Sequence, residues 1–111
     1  LFRAGNSTIV GGTCSSDVSL KTQIEPLSGS LDALSKLQPV AFEYINEEGP
    51  RQAGLIAQDV EQVFPQLVTS EAGFKQVTYG LELQMHMLQA IRELRIENQE
   101  LRARVERLEK R

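Results

Sequence analysis

The C-terminal stretch from Leu81 to Arg111 constrains the fold most strongly, because it contains neither glycine nor proline. Most of its residues are strong helix formers, so the sequence predicts one continuous helix. A helix of this length spans about 45 Å at a rise of ~1.5 Å per residue. The residues before it form too small a domain to cover that length, so we expect the helix to bury part of its surface against other copies of the chain.

The apolar residues of this stretch follow a heptad repeat when Ile91 is placed at position a. The resulting a and d positions, which we call the heptad seam, are Met87, Ile91, Leu94, Asn98, Leu101, Val105 and Leu108. This register predicts a coiled coil. The apolar face is broader between Leu81 and Leu88, which predicts that this half of the helix packs on the globular part of the chain.

The charges beside the seam indicate how many helices associate. Arg104 at position g and Glu109 at position e flank the seam in the string RVERLE, which resembles a short trimerisation motif of coiled coils. In that motif the arginine stem covers the core and its guanidinium pairs with a glutamate of a neighbouring helix. Asn98 at position a fixes register in dimers and trimers alike, so the arginine motif is what favours a homotrimer.

The residues between the start of the chain and Leu81 predict short elements. Residues 1–13 are typical of a short β hairpin, residues 30–38 of a helix with Ser30 as its N-cap, and residues 40–45 and 54–57 of strands. A short helix follows and ends at Pro65, residues 69–76 are interpreted as a loop, and residues 77–79 as a brief strand. The predicted core is Leu34, Leu37, Phe42, Tyr44, Leu55, Ile56, Val60, Val63, Phe64 and Val77.

The expected fold class is therefore α+β, with short β segments and small helices in a globular part, followed by a long C-terminal helix that forms a trimeric coiled coil. The chain has no initiating Met and opens within a β-like segment, so we interpret it as the C-terminal piece of a longer protein.

Charge and composition exclude several classes of function. A net charge of −3 argues against nucleic acid as a partner, since phosphate binding needs a basic surface. No apolar run approaches the ~20 residues of a membrane span, so we expect no membrane partner. The single cysteine and single histidine cannot build a zinc site within one chain. We expect no metal, no cofactor and no small-molecule ligand.

The string CSSDVSLK, residues 14–21, places Ser16 five residues before Lys21. A serine hydroxyl becomes a nucleophile when a neighbouring group accepts its proton. A lysine can accept it only when its amine is neutral, a state that burial favours. On chemistry alone Ser15, Ser19 and Cys14 are alternative nucleophiles, and a simple turn is an alternative to any active site.

Three longer strings, SDVSLKTQIEPL, LSKLQPVAFEYI and GLIAQDVEQVFPQLV, resemble the peptidase S74 family. These are intramolecular chaperone domains at the C-termini of phage tail spikes, endosialidases and tail fibres. The resemblance runs from about Ser16 to the end of the chain. It implies a trimeric chaperone that helps an upstream β-rich fibre to fold and then releases itself by autoproteolysis, acting once as a serine endopeptidase within its own trimer.

In this sequence the family's serine and lysine correspond to Ser16 and Lys21, and Asp17 occupies the Ser-Asp position as an auxiliary residue. Cleavage is expected either between Ser15 and Ser16 or between Ser16 and Asp17. The resemblance implies residues 1–15 as the end of the fibre, 16–80 as the globular chaperone and 81–111 as the coiled coil.

The partners implied are two further copies of the chain and the upstream fibre segment of the same chain. The implied location is a phage virion precursor in the host cytoplasm, or a bacterial surface fibre. The alternative hypothesis is a permanent trimeric cap that registers a fibre or adhesin and never cuts.

Overall fold

The computed structural model describes residues 13–111, which divide into two compact units. The first unit contains residues 13–34 and 80–111, and the second contains residues 35–79. Short strands and a long C-terminal helix confirm the predicted α+β class. The hairpin predicted for residues 1–13 falls outside the described residues except for its last position, and the predicted domain boundaries stay predictions.

The first unit is built on α3, which runs without interruption from Leu81–Glu109 as the sequence predicted. The short helix α1, Ser30–Leu34, packs against the first half of α3. Ala90 of α3 is buried, and its small side chain lets another helix approach closely. Among the described residues, no helix is apolar over the length needed to cross a bilayer.

Helix α1 is shorter than predicted and begins differently. It ends at Leu34 instead of continuing towards Pro39, and Ser30 is its first helical residue instead of its N-cap. The backbone N–H of Leu31 is capped from α3, because it donates to Glu93 Oε1 at 3.0 Å. Ser30 is 1% exposed and its hydroxyl lies 2.9 Å from His86 Nδ1. Two side chains of α3 therefore anchor the first turn of α1.

The second unit consists of two antiparallel hairpins and a helix. Strand β1, Val40–Phe42, pairs with β2, Gln52–Gly54, and β3, Val68–Glu71, pairs with β4, Phe74–Val77. Between the hairpins lie α2, Ala57–Val63, and a 3₁₀ turn, Pro65–Leu67. The predicted strand at residues 54–57 was wrong, because β2 ends at Gly54 and α2 already begins at Ala57.

The interpretation of residues 69–76 as a loop was also wrong. These residues lie in the β3–β4 hairpin, whose two-residue turn places Ala72 at φ +53° and Gly73 at φ +83°. Positive φ at both central residues is the backbone of a type I′ turn, which Asn-Gly or Asp-Gly normally signals. Alanine at the first central position hides that signal in the sequence.

Burial in the second unit is confined to a small cluster. Val60, Phe64 and Leu67 are buried, of which Val60 and Phe64 were predicted and Leu67 was not. Tyr44 and Ile56 were predicted to be buried but are exposed. Both lie beyond the ends of β1 and β2, whose two-stranded sheet offers little surface to cover them. The other predicted core residues are half-buried: Leu34 in the first unit, and Leu37, Phe42, Leu55, Val63 and Val77 in the second.

A tyrosine fixes the end of β2. The hydroxyl of Tyr79 accepts from the backbone N–H of Leu55 at 2.9 Å. A Cβ atom at Gly54 would approach both this hydroxyl and the Phe42 ring to 3.1 Å, which is tighter than ordinary packing. Glycine at position 54 therefore lets the tyrosine and the phenylalanine close over the strand.

Replacing Phe64 with alanine should lower the free energy of unfolding of the second unit by about 3–5 kcal/mol, because it leaves a cavity in the buried cluster. Phe74→Ala is the matched control: Phe74 is 76% exposed, so its loss should cost less than about 0.5 kcal/mol. The chain has no tryptophan, and its two tyrosines, Tyr44 and Tyr79, both lie in this unit. Urea denaturation followed by tyrosine fluorescence therefore reports on it, and equal losses in the two variants would contradict the assigned core.

Replacing Glu93 with alanine should loosen α1 from α3. The hydrogen bond from the Leu31 N–H, helped by one from the Gln89 side chain, holds the pKa of Glu93 below its usual range. A carboxylate whose pKa is lowered by folding stabilises the fold at pH values above its usual pKa. This contribution is lost as the pH falls through the lowered pKa of the folded state. Hydrogen exchange of the Leu31 amide should therefore be faster in Glu93→Ala, and the difference from wild type should shrink at acidic pH.

Glu100→Ala serves as the control for this change, since Glu100 occupies the same heptad position one repeat further along α3 and is exposed. Its Leu31 amide should exchange as in wild type. An equal effect of both substitutions would show that the loss reflects helix charge and not the cap on α1.

Candidate active site

Ser16 and Lys21 lie in direct contact. Lys21 Nζ donates a hydrogen bond to Ser16 Oγ at 2.7 Å, across five positions of the chain. The family resemblance implied Ser16 as nucleophile and Lys21 as base, and we call the two residues the dyad. At this distance a proton can pass between hydroxyl and amine without rearrangement of either side chain.

A single 3₁₀ turn, Val18–Leu20, brings the dyad together. The backbone N–H of Leu20 donates to the Asp17 carbonyl at 3.0 Å, and that of Lys21 donates to the Val18 carbonyl at 3.2 Å. These bonds reverse the chain direction between the two dyad residues, so that the lysine side chain reaches back over the turn.

Asp17 caps this turn through its side chain. Its Oδ1 accepts from the Ser19 backbone N–H at 2.9 Å and from the Ser19 hydroxyl at 2.8 Å. The hydrogen bond from the Ser19 backbone N–H contributes most to holding the pKa of Asp17 below its usual range, and the bond from the Ser19 hydroxyl contributes next. Ser19 was considered in the sequence only as an alternative nucleophile. The pattern Asp-x-Ser is typical of an aspartate that bonds the backbone two residues on, and could have indicated this pairing.

Both dyad residues are exposed to solvent in the single chain. Val18 and Leu20, the apolar residues between them, are also mostly exposed. Burial is what favours a neutral lysine amine, and solvent exposure does not supply it. The two residues are therefore in contact within one chain, and both are left exposed there.

The alternative nucleophiles are placed less favourably. The Ser19 hydroxyl donates to Asp17, and the dyad bond of Lys21 goes to Ser16. Ser15 and Cys14 are half-buried, upstream of the turn. The geometry thus brings one serine, Ser16, to the lysine.

A second serine, Ser30, belongs to an arrangement that looks like a hydrolase triad. Its hydroxyl lies 2.9 Å from His86 Nδ1, and His86 Nε2 lies 3.9 Å from a Glu82 carboxylate oxygen. Ser30 is buried within the first turn of α1, where no peptide carbonyl can reach its hydroxyl. This group anchors α1. The His86 side chain is largely covered in this arrangement.

The second unit carries a shallow apolar groove. It is lined mainly by aromatic and aliphatic side chains, including those of Phe42, Tyr44, Ile56 and Tyr79. Two of its three ionisable side chains have polar partners, since Tyr79 bonds Leu55 and Lys75 pairs with Glu61. The third, Tyr44, packs its ring edge-on against Phe42. Among residues 13–111, no group of three or more histidine, cysteine, aspartate or glutamate side chains is arranged to hold a metal ion.

A comparison with known families covers the segment that contains the dyad. Residues 16–69 match the model of the peptidase S74 family, described as chaperone of endosialidase. No curated protein matches the chain significantly. The matched segment begins at Ser16 and contains Lys21, and it supports a chaperone role that involves association with a fibre partner. The resemblance seen in the sequence is thereby confirmed over residues 16–69, which are similar to the peptidase S74 family of endosialidase chaperones.

Proposed function

We propose that the chain is a C-terminal intramolecular chaperone that forms a homotrimer, assists the folding of an upstream β-rich fibre and then cuts itself free at the dyad. The observation that carries the proposal is the 2.7 Å contact between Lys21 Nζ and Ser16 Oγ within a segment of the S74 family. The family supports the chaperone role, and the contact supports the cleavage.

The chemistry requires only the chain itself and water. The neutral lysine amine takes the proton of Ser16 Oγ as the oxygen attacks the carbonyl carbon of Ser15. The bond from that carbon to the Ser16 nitrogen breaks, and the nitrogen receives the proton from Nζ. The resulting ester is hydrolysed by water, which regenerates the Ser16 hydroxyl. Cleavage between Ser16 and Asp17 remains the alternative, and the intact masses of both products distinguish the two bonds.

The surface of α3 supports self-association. α1 occupies one side of the helix, where His86 and Glu93 contact it and Ala90 is buried. The heptad seam lies on another side, and each of its residues is exposed in the single chain. An apolar stripe of this length on a helix is normally covered by a partner. Three copies of the seam would cover one another, with Arg104 paired to a neighbour's Glu109.

Assembly also supplies what the dyad lacks. Shielding of Lys21 by a neighbouring chain would favour its neutral form and so allow it to act as a base. Cleavage would then follow assembly, so that the chaperone leaves only after three chains have been brought together.

Ser16→Ala and Lys21→Ala should each leave a folded, full-length chain that no longer cuts. Lys21→Arg should not restore cleavage, because a guanidinium does not lose its proton at usable pH. Ser15→Ala and Cys14→Ala should still cut. Cell-free synthesis of the chain with an N-terminal extension, followed by intact mass measurement, checks each variant. Persistent cutting in Ser16→Ala would move the nucleophile elsewhere, and an intact wild-type chain after prolonged incubation would favour the permanent cap.

Light scattering of the uncut Ser16→Ala chain should give three times the 12.4 kDa mass of one chain. Adding Leu94→Asp should give monomers at micromolar concentration, because it places a charge in the seam. Ile96→Asp is the matched control: Ile96 is 53% exposed, close to the 46% of Leu94, but lies outside the seam. A wild-type monomer, or equal disruption by both substitutions, would overturn the trimer.

A further inference from the structure

The geometry of the dyad depends on the residues between its members. Ser16 and Lys21 are both exposed, so packing contributes little to holding their backbones in place. The hydrogen bonds of the intervening turn are what restrict the distance between them. The question is then which side chain holds that turn.

Asp17 and Ser19 hold it from one side. A single carboxylate oxygen, Asp17 Oδ1, accepts both the backbone N–H and the hydroxyl of Ser19, at 2.9 and 2.8 Å. The backbone carbonyl of Asp17 accepts from the Leu20 N–H. The backbone N–H of Lys21 donates to the Val18 carbonyl, which fixes the backbone of Lys21. A three-residue 3₁₀ turn is weak on its own, because each of its few bonds is made at poor geometry. The cap is therefore a large share of what keeps the turn closed.

We propose that Asp17 and Ser19 are positioning residues for the cleavage, whose bonded pair keeps the turn closed and Lys21 Nζ against Ser16 Oγ. This inference rests on the proposed function. It assigns Asp17 no proton transfer, because the recorded bonds of its carboxylate go to Ser19 and none reaches either dyad residue. The depressed pKa of Asp17 agrees with a carboxylate that remains ionised as an acceptor.

The test compares cleavage rates of the full chain by cell-free synthesis and intact mass measurement. Asp17→Ala removes the acceptor and should slow cleavage about 10-fold to 100-fold, as expected when reacting groups lose their alignment. Asp17→Asn keeps an amide oxygen that can accept the same bonds, so it should retain most of the wild-type rate and an unchanged pH profile. Thr22→Ala, which removes an exposed hydroxyl next to Lys21, is the matched control and should leave the rate unchanged.

A double-substitution cycle isolates the pair. Ser19→Ala alone should slow cleavage less than Asp17→Ala, since the backbone N–H of residue 19 remains. Adding Ser19→Ala to Asp17→Ala should slow cleavage no further, because the Ser19 hydroxyl has already lost its acceptor. Additive effects of the two substitutions would show that they act independently and would overturn the pairing.

A second measurement follows the turn without cleavage. In the uncut Ser16→Ala chain, amide exchange at Leu20 and Lys21 should become faster with Asp17→Ala and return towards the reference with Asp17→Asn. Faster amide exchange in Asp17→Ala with an unchanged cleavage rate would overturn the positioning role. Unchanged amide exchange in Asp17→Ala would overturn it as well. A rate abolished by Asp17→Asn would make Asp17 a proton carrier instead. Failure of the wild-type chain to cut at all would overturn the proposed function, and this role in catalysis with it.

Discussion

The anchoring of α1 on α3 determines which side of the long helix is covered and which side stays exposed. The carboxylate of Glu93 caps the Leu31 N–H, and His86 lies against the Ser30 hydroxyl. A five-residue helix has little stability of its own, so these contacts with the long helix are what retain it. Because α1 occupies that side of α3, the heptad seam is left uncovered on another.

In this arrangement, the contact between the two dyad residues forms independently of the shielding that would make Lys21 a base. One local turn brings Lys21 Nζ to Ser16 Oγ, but in the single chain both residues are exposed. A serine–lysine pair needs a short contact and a shielded amine. The fold supplies the first within one chain, and we propose that association supplies the second. Cleavage would in that case report on assembly, since the step that depends on neighbouring chains is the one that makes the lysine a base.

The sequence predicted those features whose causes lie close together along the chain. An uninterrupted run of helix-forming residues predicted helix α3. A motif contained in residues 16–21 indicated the pair Ser16 and Lys21, whose side chains are in contact. Features with distant or concealed causes were missed. The cap on α1 comes from a residue 62 positions away, and the β3–β4 turn uses Ala72 where asparagine would have signalled it. Tyr44 and Ile56 have core-like patterns, but both lie beyond the ends of a two-stranded sheet that offers little surface to cover them.

The contact between the dyad residues spans only five positions, and the bonds recorded between those positions make the turn that closes it. Chemistry confined to so short a segment can be gained or lost by one substitution while the surrounding architecture persists. A chain with alanine at position 16 would keep its turn, its helix and its seam, and would remain attached to whatever it had assembled. Under the proposed function, detachable and permanent forms of this domain are therefore separated by a single codon, and selection can move a lineage between them without rebuilding the fold.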